Sequence, residues 1–89
     1  MAWQIELSAL GQKNIAQLDP QTRQRVLKFL QQRVATLDNP RSIGEALKGS
    51  RFGGRWKYRV GDHRIIADIQ DQRVCILVVR IGNRRDVYK

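Results

Sequence analysis

Cations alternate with large apolar side chains in one segment of the sequence, RWKYRV. Because successive side chains of a strand point to opposite faces, Arg55, Lys57 and Arg59 share one face of a predicted strand. The next two residues, Gly61-Asp62, have glycine first, as a type II′ hairpin turn requires. Such a turn places Arg59 opposite Arg64. The pattern therefore predicts a cationic surface on which Lys57, Arg59 and Arg64 converge within reach of a single phosphate.

Two arginines that face each other need an explanation, because like charges placed directly opposite destabilise a sheet. The placement of Arg59 opposite Arg64 therefore indicates that an anion from another molecule binds between them and offsets the repulsion. The alternative is an outward sheet face that is merely basic and is partly offset by Asp62 or Asp68. The apolar residues that alternate with the cations are more typical of a hydrophobic core than of a base-stacking surface.

The C-terminal segment adds cations and an aromatic ring to this prediction. It reads IGNRRDVYK, so Arg84 and Arg85 follow Gly82, which permits a bend towards the cationic surface. Tyr88 offers either a staple that packs the tail onto the domain or a ring that stacks on a nucleobase. Both interpretations of Tyr88 stay open on the residues alone.

The first half of the chain contains elements that must support this surface. Alternation of Trp3, Ile5 and Leu7 with polar residues predicts a strand, and Ser8 is a suitable N-cap for a short helix. A longer helix is predicted between Asp19-Pro20 and Asn39-Pro40, with one apolar stripe and a cationic outer face typical of a solvated face. The stripe consists of Val26, Leu30, Val34 and Leu37, and the outer face carries Arg23, Arg25, Lys28 and Arg33.

Three strand-like runs make up the second half. They are RWKYRV, then HRIIADIQ, then RVCILVVRIG after a turn at Asp71-Gln72. The last run is apolar on both faces, which is typical of a strand inside a sheet. The order is a strand, two helices and an antiparallel meander of three strands, β-α-α-β-β-β. We expect a single α+β domain over residues 1–89, with the helices packed on one sheet face.

The net charge indicates which class of molecule this protein binds. The net charge is +9; residues 1–50 hold seven Lys and Arg against four Asp and Glu, and residues 51–89 hold ten against four. This excess favours a polyanion, and nucleic acid over a membrane because no amphipathic anchor accompanies it. No apolar run reaches the roughly 18 residues of a membrane span, and no signal peptide is visible. The single cysteine, Cys75, excludes an internal disulfide and suits a reducing cytoplasm. One His and one Cys do not make the usual zinc set, so we expect no metal or cofactor.

Three segments together resemble the RelE family within the RelE/ParE toxin superfamily: LKG, RWKYRVGDHRII and VVRIGNRRDVY. RelE proteins are ribosome-dependent mRNA endoribonucleases (mRNA interferases) of type II toxin–antitoxin systems. The resemblance implies a RelE-like fold, a cytoplasmic toxin that inhibits translation, and catalysis without a metal. It also implies two partners, a RelB-like antitoxin with an acidic segment and the ribosome with its mRNA.

The resemblance also implies roles for individual residues. Lys57 matches a catalytic lysine, and Arg64 matches the arginine that holds the scissile phosphate. Arg84 matches an arginine near the leaving oxygen, and Tyr88 matches the tyrosine that stacks on the substrate base. The further RNA- and phosphate-binding candidates are Arg55, Arg59 and Arg85. His63 alternates with Arg64 and so faces the other side of its strand, as a core or rim histidine.

The implied reaction uses the 2′-OH of RNA as the nucleophile on the adjacent phosphorus, which leaves a 2′,3′-cyclic phosphate and a 5′-OH. It needs charge stabilisation on the phosphate, which Arg59 and Arg64 suit, and two proton transfers. No glutamate is expected near this face, so the general base stays open, with Lys57 as one candidate. Two other functions remain: a ParE-like inhibitor of DNA gyrase with the same fold, and a module that binds nucleic acid without cutting it.

Overall fold

The computed structural model describes residues 2–47 and 55–83. Strand β1 (Gln4–Leu7) precedes helices α1 (Ala9–Gln17) and α2 (Pro20–Lys28). A π-helical turn (Phe29–Val34) extends α2, and a short 3₁₀ turn (Pro40–Ser42) follows. The remaining strands are β2 (Glu45–Ala46), β3 (Trp56–Val60), β4 (His63–Gln70) and β5 (Cys75–Asn83), with a 3₁₀ turn (Asp71–Arg73) between β4 and β5.

All five strands form one sheet in the order β1-β5-β4-β3-β2. β1 runs parallel to β5, and the other neighbours are antiparallel. The predicted α+β class, element order and internal position of β5 are confirmed. β2 was not predicted, because two residues carry no periodicity and lie in a turn-rich segment.

The hairpin between β3 and β4 has the predicted register. Val60 pairs with His63, and Arg59 pairs with Arg64. Gly61 has φ +58° whereas the φ of Asp62 is not positive, which matches a type II′ turn. The second turn contains the predicted Asp71-Gln72 and continues as a 3₁₀ turn to Arg73. Val74 follows with a left-handed φ of 49°, which directs the chain into β5.

Helix α1 lies against the edge of β5 that the shorter strand β1 leaves open. The Ser8 side chain caps the helix by accepting from the Gly11 amide at 3.0 Å. The Asn14 side chain accepts from the Ile81 amide at 3.0 Å. A Cβ at Gly11 would lie 2.6 Å from the Val78 carbonyl oxygen, so only glycine permits this close approach.

Helix α2 and the π-helical turn that extends it contribute the apolar stripe that closes the core. Asp19 caps it by accepting from the Thr22 amide, and Pro20 occupies its first position. Val26, Leu30 and Val34 are fully buried. They pack against core residues of the sheet, namely Tyr58, Ile65, Ala67, Ile76, Val78 and Ile81. The predicted packing of helices on one sheet face is therefore confirmed.

One cation of the predicted solvated face has a structural role instead. The Arg23 guanidinium donates to the carbonyl oxygens of Ile15, Ala16 and Leu18, at 3.1, 3.3 and 3.0 Å. These carbonyls belong to the end of α1, where helical partners are lacking. Arg23 thus ties α2 to the C-terminus of α1.

The cysteine is buried and forms an unusual contact. The Cys75 thiol donates to the Glu6 carboxylate, with Sγ 2.7 Å from Oε2, and Arg73 contacts the same carboxylate at 3.1 Å. Burial, together with the Glu6 hydrogen bond and charge, raises the pKa of the Cys75 thiol from 9.0 to about 11.

This thiol makes stability sensitive to alkaline pH. The unfolded chain releases the thiol proton near pH 9 whereas the folded protein retains it to about pH 11. The free energy of unfolding should therefore fall between these values, and Cys75→Ala should weaken that dependence. Urea unfolding of the wild-type protein and of Cys75→Ala at pH 7.5 and pH 10.5 measures this dependence. An equal loss of unfolding free energy in the two proteins between these pH values would contradict the prediction.

Candidate active site

The three cations predicted to converge line one cleft of about 390 Å³. Lys57 and Arg59 reach it from β3, and Arg64 reaches it from β4. The other lining residues come from the π-helical turn, from β3 and from the segment before and within β2: Phe29, Arg33, Ile43, Gly44, Glu45 and Tyr58. The cleft therefore lies at the edge of the sheet where β3 extends beyond its pairing with β2.

Arg64 is held on the hairpin turn. Its Nη1 atom donates to the carbonyl oxygens of Gly61 and His63, at 3.2 and 3.1 Å. These bonds occupy one of the three guanidinium nitrogens and orient the group. Arg59 on the facing strand is exposed, and its side chain forms no hydrogen bond or ion pair within residues 2–47 and 55–83. Both guanidinium groups retain donors for a bound anion.

A glutamate lies beside the candidate catalytic lysine, so the expectation that none is near this face was wrong. Lys57 Nζ is 3.3 Å from Glu45 Oε1. The lysine side chain is 22% exposed and the glutamate side chain is 72% exposed. β2 creates this contact by pairing Glu45 directly with Lys57. Sequence reasoning had no signal for it, since the pairing depends on a two-residue strand.

Aromatic side chains of β3 fix the segment that carries Glu45. Trp56 Nε1 donates to the Ile43 carbonyl at 2.7 Å, and the Tyr58 hydroxyl donates to the Pro40 carbonyl at 2.6 Å. Burial raises the pKa of Tyr58 to about 12, which keeps the phenol protonated as a donor. At Gly44, φ is +81° and a Cβ would lie 2.4 Å from the Lys57 carbonyl oxygen. The backbone before Glu45 is therefore pressed against β3.

Of the other candidate residues, the structure describes Arg55 and His63, and neither lines the cleft. Arg55 directly precedes β3 and its carbonyl accepts from the Leu47 amide at 3.0 Å. His63 is half-buried and lines depressions near Thr22 and Asn83, which agrees with a rim histidine. The other three candidates lie outside the described residues: Arg84, Arg85 and Tyr88.

Neither a metal cluster nor a membrane helix occurs in the part of the chain that the structure describes. Within residues 2–47 and 55–83, no three His, Cys, Asp or Glu side chains come close enough to hold a metal ion. No helix in these ranges is long and apolar enough to cross a membrane.

Comparison with known families assigns the chain. A family model described as the ParE toxin of type II toxin–antitoxin systems, parDE, matches residues 5–88. The chain belongs to this toxin family. The predicted resemblance to the RelE/ParE superfamily is confirmed, and the protein is a toxin of a type II toxin–antitoxin system. A sequence search of curated proteins gives no match.

Solved structures share the fold of this toxin at low sequence identity. The RelBE2 toxin–antitoxin complex of Mycobacterium tuberculosis matches with a TM-score of 0.84 and 19% identity over 97% of this chain and 95% of that one. The intact E. coli RelBE complex matches with a TM-score of 0.73 and 19% identity, over 92% of this chain and 96% of that one. The RelE–RelB complex of Pyrococcus horikoshii OT3 matches with a TM-score of 0.73 and 20% identity, over 98% of this chain and 100% of that one. These likenesses establish the RelE-like fold.

Proposed function

We propose that this toxin is a ribosome-dependent endoribonuclease that cuts translated mRNA and so inhibits translation. The observation that carries the proposal is the cleft in which Lys57, Arg59 and Arg64 lie together with Glu45. Three cations and one exposed carboxylate supply both functions that metal-independent RNA cleavage needs, namely charge stabilisation and proton transfer.

The two arginines bind the scissile phosphate. Attack of the 2′-OH on phosphorus adds negative charge to the phosphate oxygens, and a guanidinium binds two such oxygens at once. Arg64 is pre-oriented by the hairpin carbonyls, which lowers the cost of ordering it when RNA binds. Arg59 approaches from the facing strand. The pair of like charges, unfavourable in the free protein, becomes favourable around a phosphate.

Glu45 acts as the general base. Its carboxylate is exposed to substrate and is positioned by Lys57 at 3.3 Å. It accepts the proton of the 2′-OH while Lys57 neutralises the charge that develops on the attacking oxygen and the phosphate. An acid for the leaving 5′ oxygen is still needed, and the family resemblance assigns this step to Arg84. Tyr88 stacks on the base next to the cut, and Arg55 and Arg85 bind flanking phosphates.

Two partners follow from this proposal. The ribosome holds the mRNA strand in the bent geometry that in-line attack requires, which accounts for the dependence on translation. A RelB-like antitoxin, as in the solved complexes of the M. tuberculosis, E. coli and P. horikoshii toxins, binds through an acidic segment and neutralises the cationic cleft. The resulting site of action is the cytoplasm.

Cell-free translation tests the proposal directly. Reporter mRNA is translated in a purified system with wild-type toxin, and cuts are mapped by primer extension. We expect discrete cuts that need ribosomes and carry a 2′,3′-cyclic phosphate. The Arg64→Ala/Arg84→Ala variant should produce none, whereas the control Lys13→Ala, an exposed cation of α1, should cut like wild type. Intact mRNA with wild-type toxin would refute the proposal.

Inhibition of DNA gyrase is the second candidate function, and the match to the ParE toxin model favours it. A gyrase supercoiling assay at the toxin concentration that cuts mRNA separates the two. We expect supercoiling to continue unchanged. Inhibited supercoiling with intact mRNA would establish the gyrase function and remove the catalytic roles above. RNA binding without either effect would leave a module that only binds nucleic acid.

A further inference from the structure

Two groups of described cations differ in whether the protein itself neutralises their charge. In the first group, a partner within the protein explains the charge. Arg41 forms two hydrogen bonds to Asp71, both 2.9 Å long, and Arg73 contacts Glu6. Lys57 contacts Glu45, and Arg23 closes the end of α1.

The second group surrounds the β3 edge without a carboxylate partner. Arg25 and Lys28 of α2 and Arg33 of the π-helical turn are exposed. None of these three side chains forms a hydrogen bond or ion pair within residues 2–47 and 55–83. They line a depression of about 410 Å³, here termed the helix groove, whose other lining residues are Phe29, Gln32 and Val60. No acidic residue is among the lining residues.

The helix groove continues the candidate active-site cleft. Arg33 and Phe29 line both depressions. They are adjacent because β2 pairs only with Trp56 and Lys57, so the last part of β3, residues 58–60, is uncovered. At the far end, the Arg25 guanidinium lies 3.6 Å from the position that a Cβ of Gly61 would occupy. A cationic path therefore leads from the hairpin, around the edge of β3, onto the helix.

The π-helical turn aligns this path. Arg25 and Lys28 are three residues apart in α2 and so are neighbours on one helix face. Lys28 and Arg33 are five residues apart, which in a regular α-helix would put them on different faces. In a π-helix, i→i+5 hydrogen bonds close one turn, and here the Ala35 amide bonds to the Leu30 carbonyl at 2.9 Å. Arg33 consequently follows Lys28 on the same face.

We infer that the helix groove binds the phosphates of the mRNA strand that flanks the cut. The strand leaves the cleft around the edge of β3, and Arg33, Lys28 and Arg25 contact its backbone. This inference rests on the proposed nuclease function and adds a binding surface that takes no part in the chemistry. Its recognition is by charge, so it is independent of base sequence.

The groove fits a nucleic-acid backbone better than a peptide strand. In an antiparallel pair, successive residues direct their amide and carbonyl alternately to the two neighbouring strands. Val60 and Tyr58 direct theirs to β4, and Lys57 faces β2. Only Arg59 therefore directs its backbone groups to the uncovered edge, which is too short a template for an added strand. The groove therefore offers long cationic side chains spaced one helical turn apart rather than free backbone groups. Such side chains bind phosphates.

Salt-dependent RNA binding tests this inference. The probe is a fluorescein-labelled single-stranded 12-mer with 2′-O-methyl groups, which cannot be cleaved, and binding is followed by anisotropy from low to moderate salt. Each lost phosphate contact reduces the slope of log K against log salt by about 0.7 for single strands. Lys28→Gln/Arg33→Gln should therefore reduce the slope by about 1.4. The control Lys13→Gln/Arg73→Gln removes the same charge elsewhere and should leave the slope unchanged.

The outcomes separate this inference from the proposed function. Equal slopes for the groove variant and the control would overturn the inference even if wild-type toxin cuts mRNA. A reduced slope with a toxin that cuts no mRNA would retain the groove and refute the nuclease. Weaker binding of poly-L-glutamate with an unchanged RNA slope would overturn the inference in favour of an acidic protein. If the groove variant keeps the wild-type RNA slope but co-sediments more weakly with mRNA-free ribosomes, the inference is overturned and the groove binds ribosomal RNA instead.

Discussion

Glu45→Gln should slow ribosome-dependent mRNA cleavage by about 10²–10⁴-fold, the range that a general base contributes. The amide keeps the size of the side chain and its place beside Lys57 but cannot accept the 2′-OH proton. Folding should be unaffected, because the side chain is 72% exposed. Single-turnover cleavage of mRNA on programmed ribosomes, at saturating toxin, measures the chemical step. Asp62→Asn, which neutralises an exposed carboxylate in the hairpin turn, is the matched control and should cleave like wild type.

A Lys57→Gln variant distinguishes the roles within the pair. If Glu45 is the base, both substitutions slow cleavage and the double variant is little worse than either single one, since the two groups act as a unit. A wild-type rate for Glu45→Gln together with an inactive Lys57→Gln would transfer the base role to Lys57. RNA affinity, measured with the uncleavable 12-mer, should fall for Lys57→Gln and not for Glu45→Gln, because only the lysine attracts phosphate.

Gly44→Ala should destabilise the protein and also inactivate it. A residue other than glycine at φ +81° costs about 1–3 kcal/mol. The added Cβ would also lie 2.4 Å from the Lys57 carbonyl oxygen, so the segment before β2 must move away from β3. Because that segment carries Glu45, the movement separates the carboxylate from Lys57. Urea unfolding gives the loss of stability, and single-turnover cleavage gives the loss of activity.

Glu45→Gln is the control that makes the Gly44 result interpretable. It removes the carboxylate function alone, so it should lower activity while the free energy of unfolding stays at the wild-type value. Gly44→Ala should lower both quantities. Wild-type cleavage by folded Gly44→Ala protein would mean that the position of Glu45 is unimportant, and the assigned base would then be wrong.

The fold alone does not choose between mRNA cleavage and gyrase inhibition. The family model is that of a ParE toxin, whereas the structural matches are RelE proteins at identities of 19–20%. The choice depends on side chains at the β3 edge, where a positioned carboxylate, a lysine and three arginines share one cleft. A surface that only binds a protein has no need of that chemistry, and this is why the Glu45 experiment is decisive.

The sequence determined the parts of this protein that follow from local rules. Asp19 and Pro20 begin α2, and Gly61 sets the turn that places Arg59 opposite Arg64. Two-residue alternation separates the cations of β3 from its core residues. Each of these depends on neighbours within a few positions, so pattern and turn chemistry were enough to predict the fold class, the hairpin register and the convergence of three cations.

Only the tertiary structure decided which distant groups meet. Glu45 reaches Lys57 because Trp56 and Tyr58 hold the intervening backbone against β3, and no periodicity in the sequence signals this. The π-helical turn, which brings Arg33 onto the face of Lys28, depends on how the helix packs over the sheet edge. Long-range contacts of this kind are set by the balance of packing and hydrogen bonding over the whole core, so the proposed base and the helix groove became visible only in three dimensions.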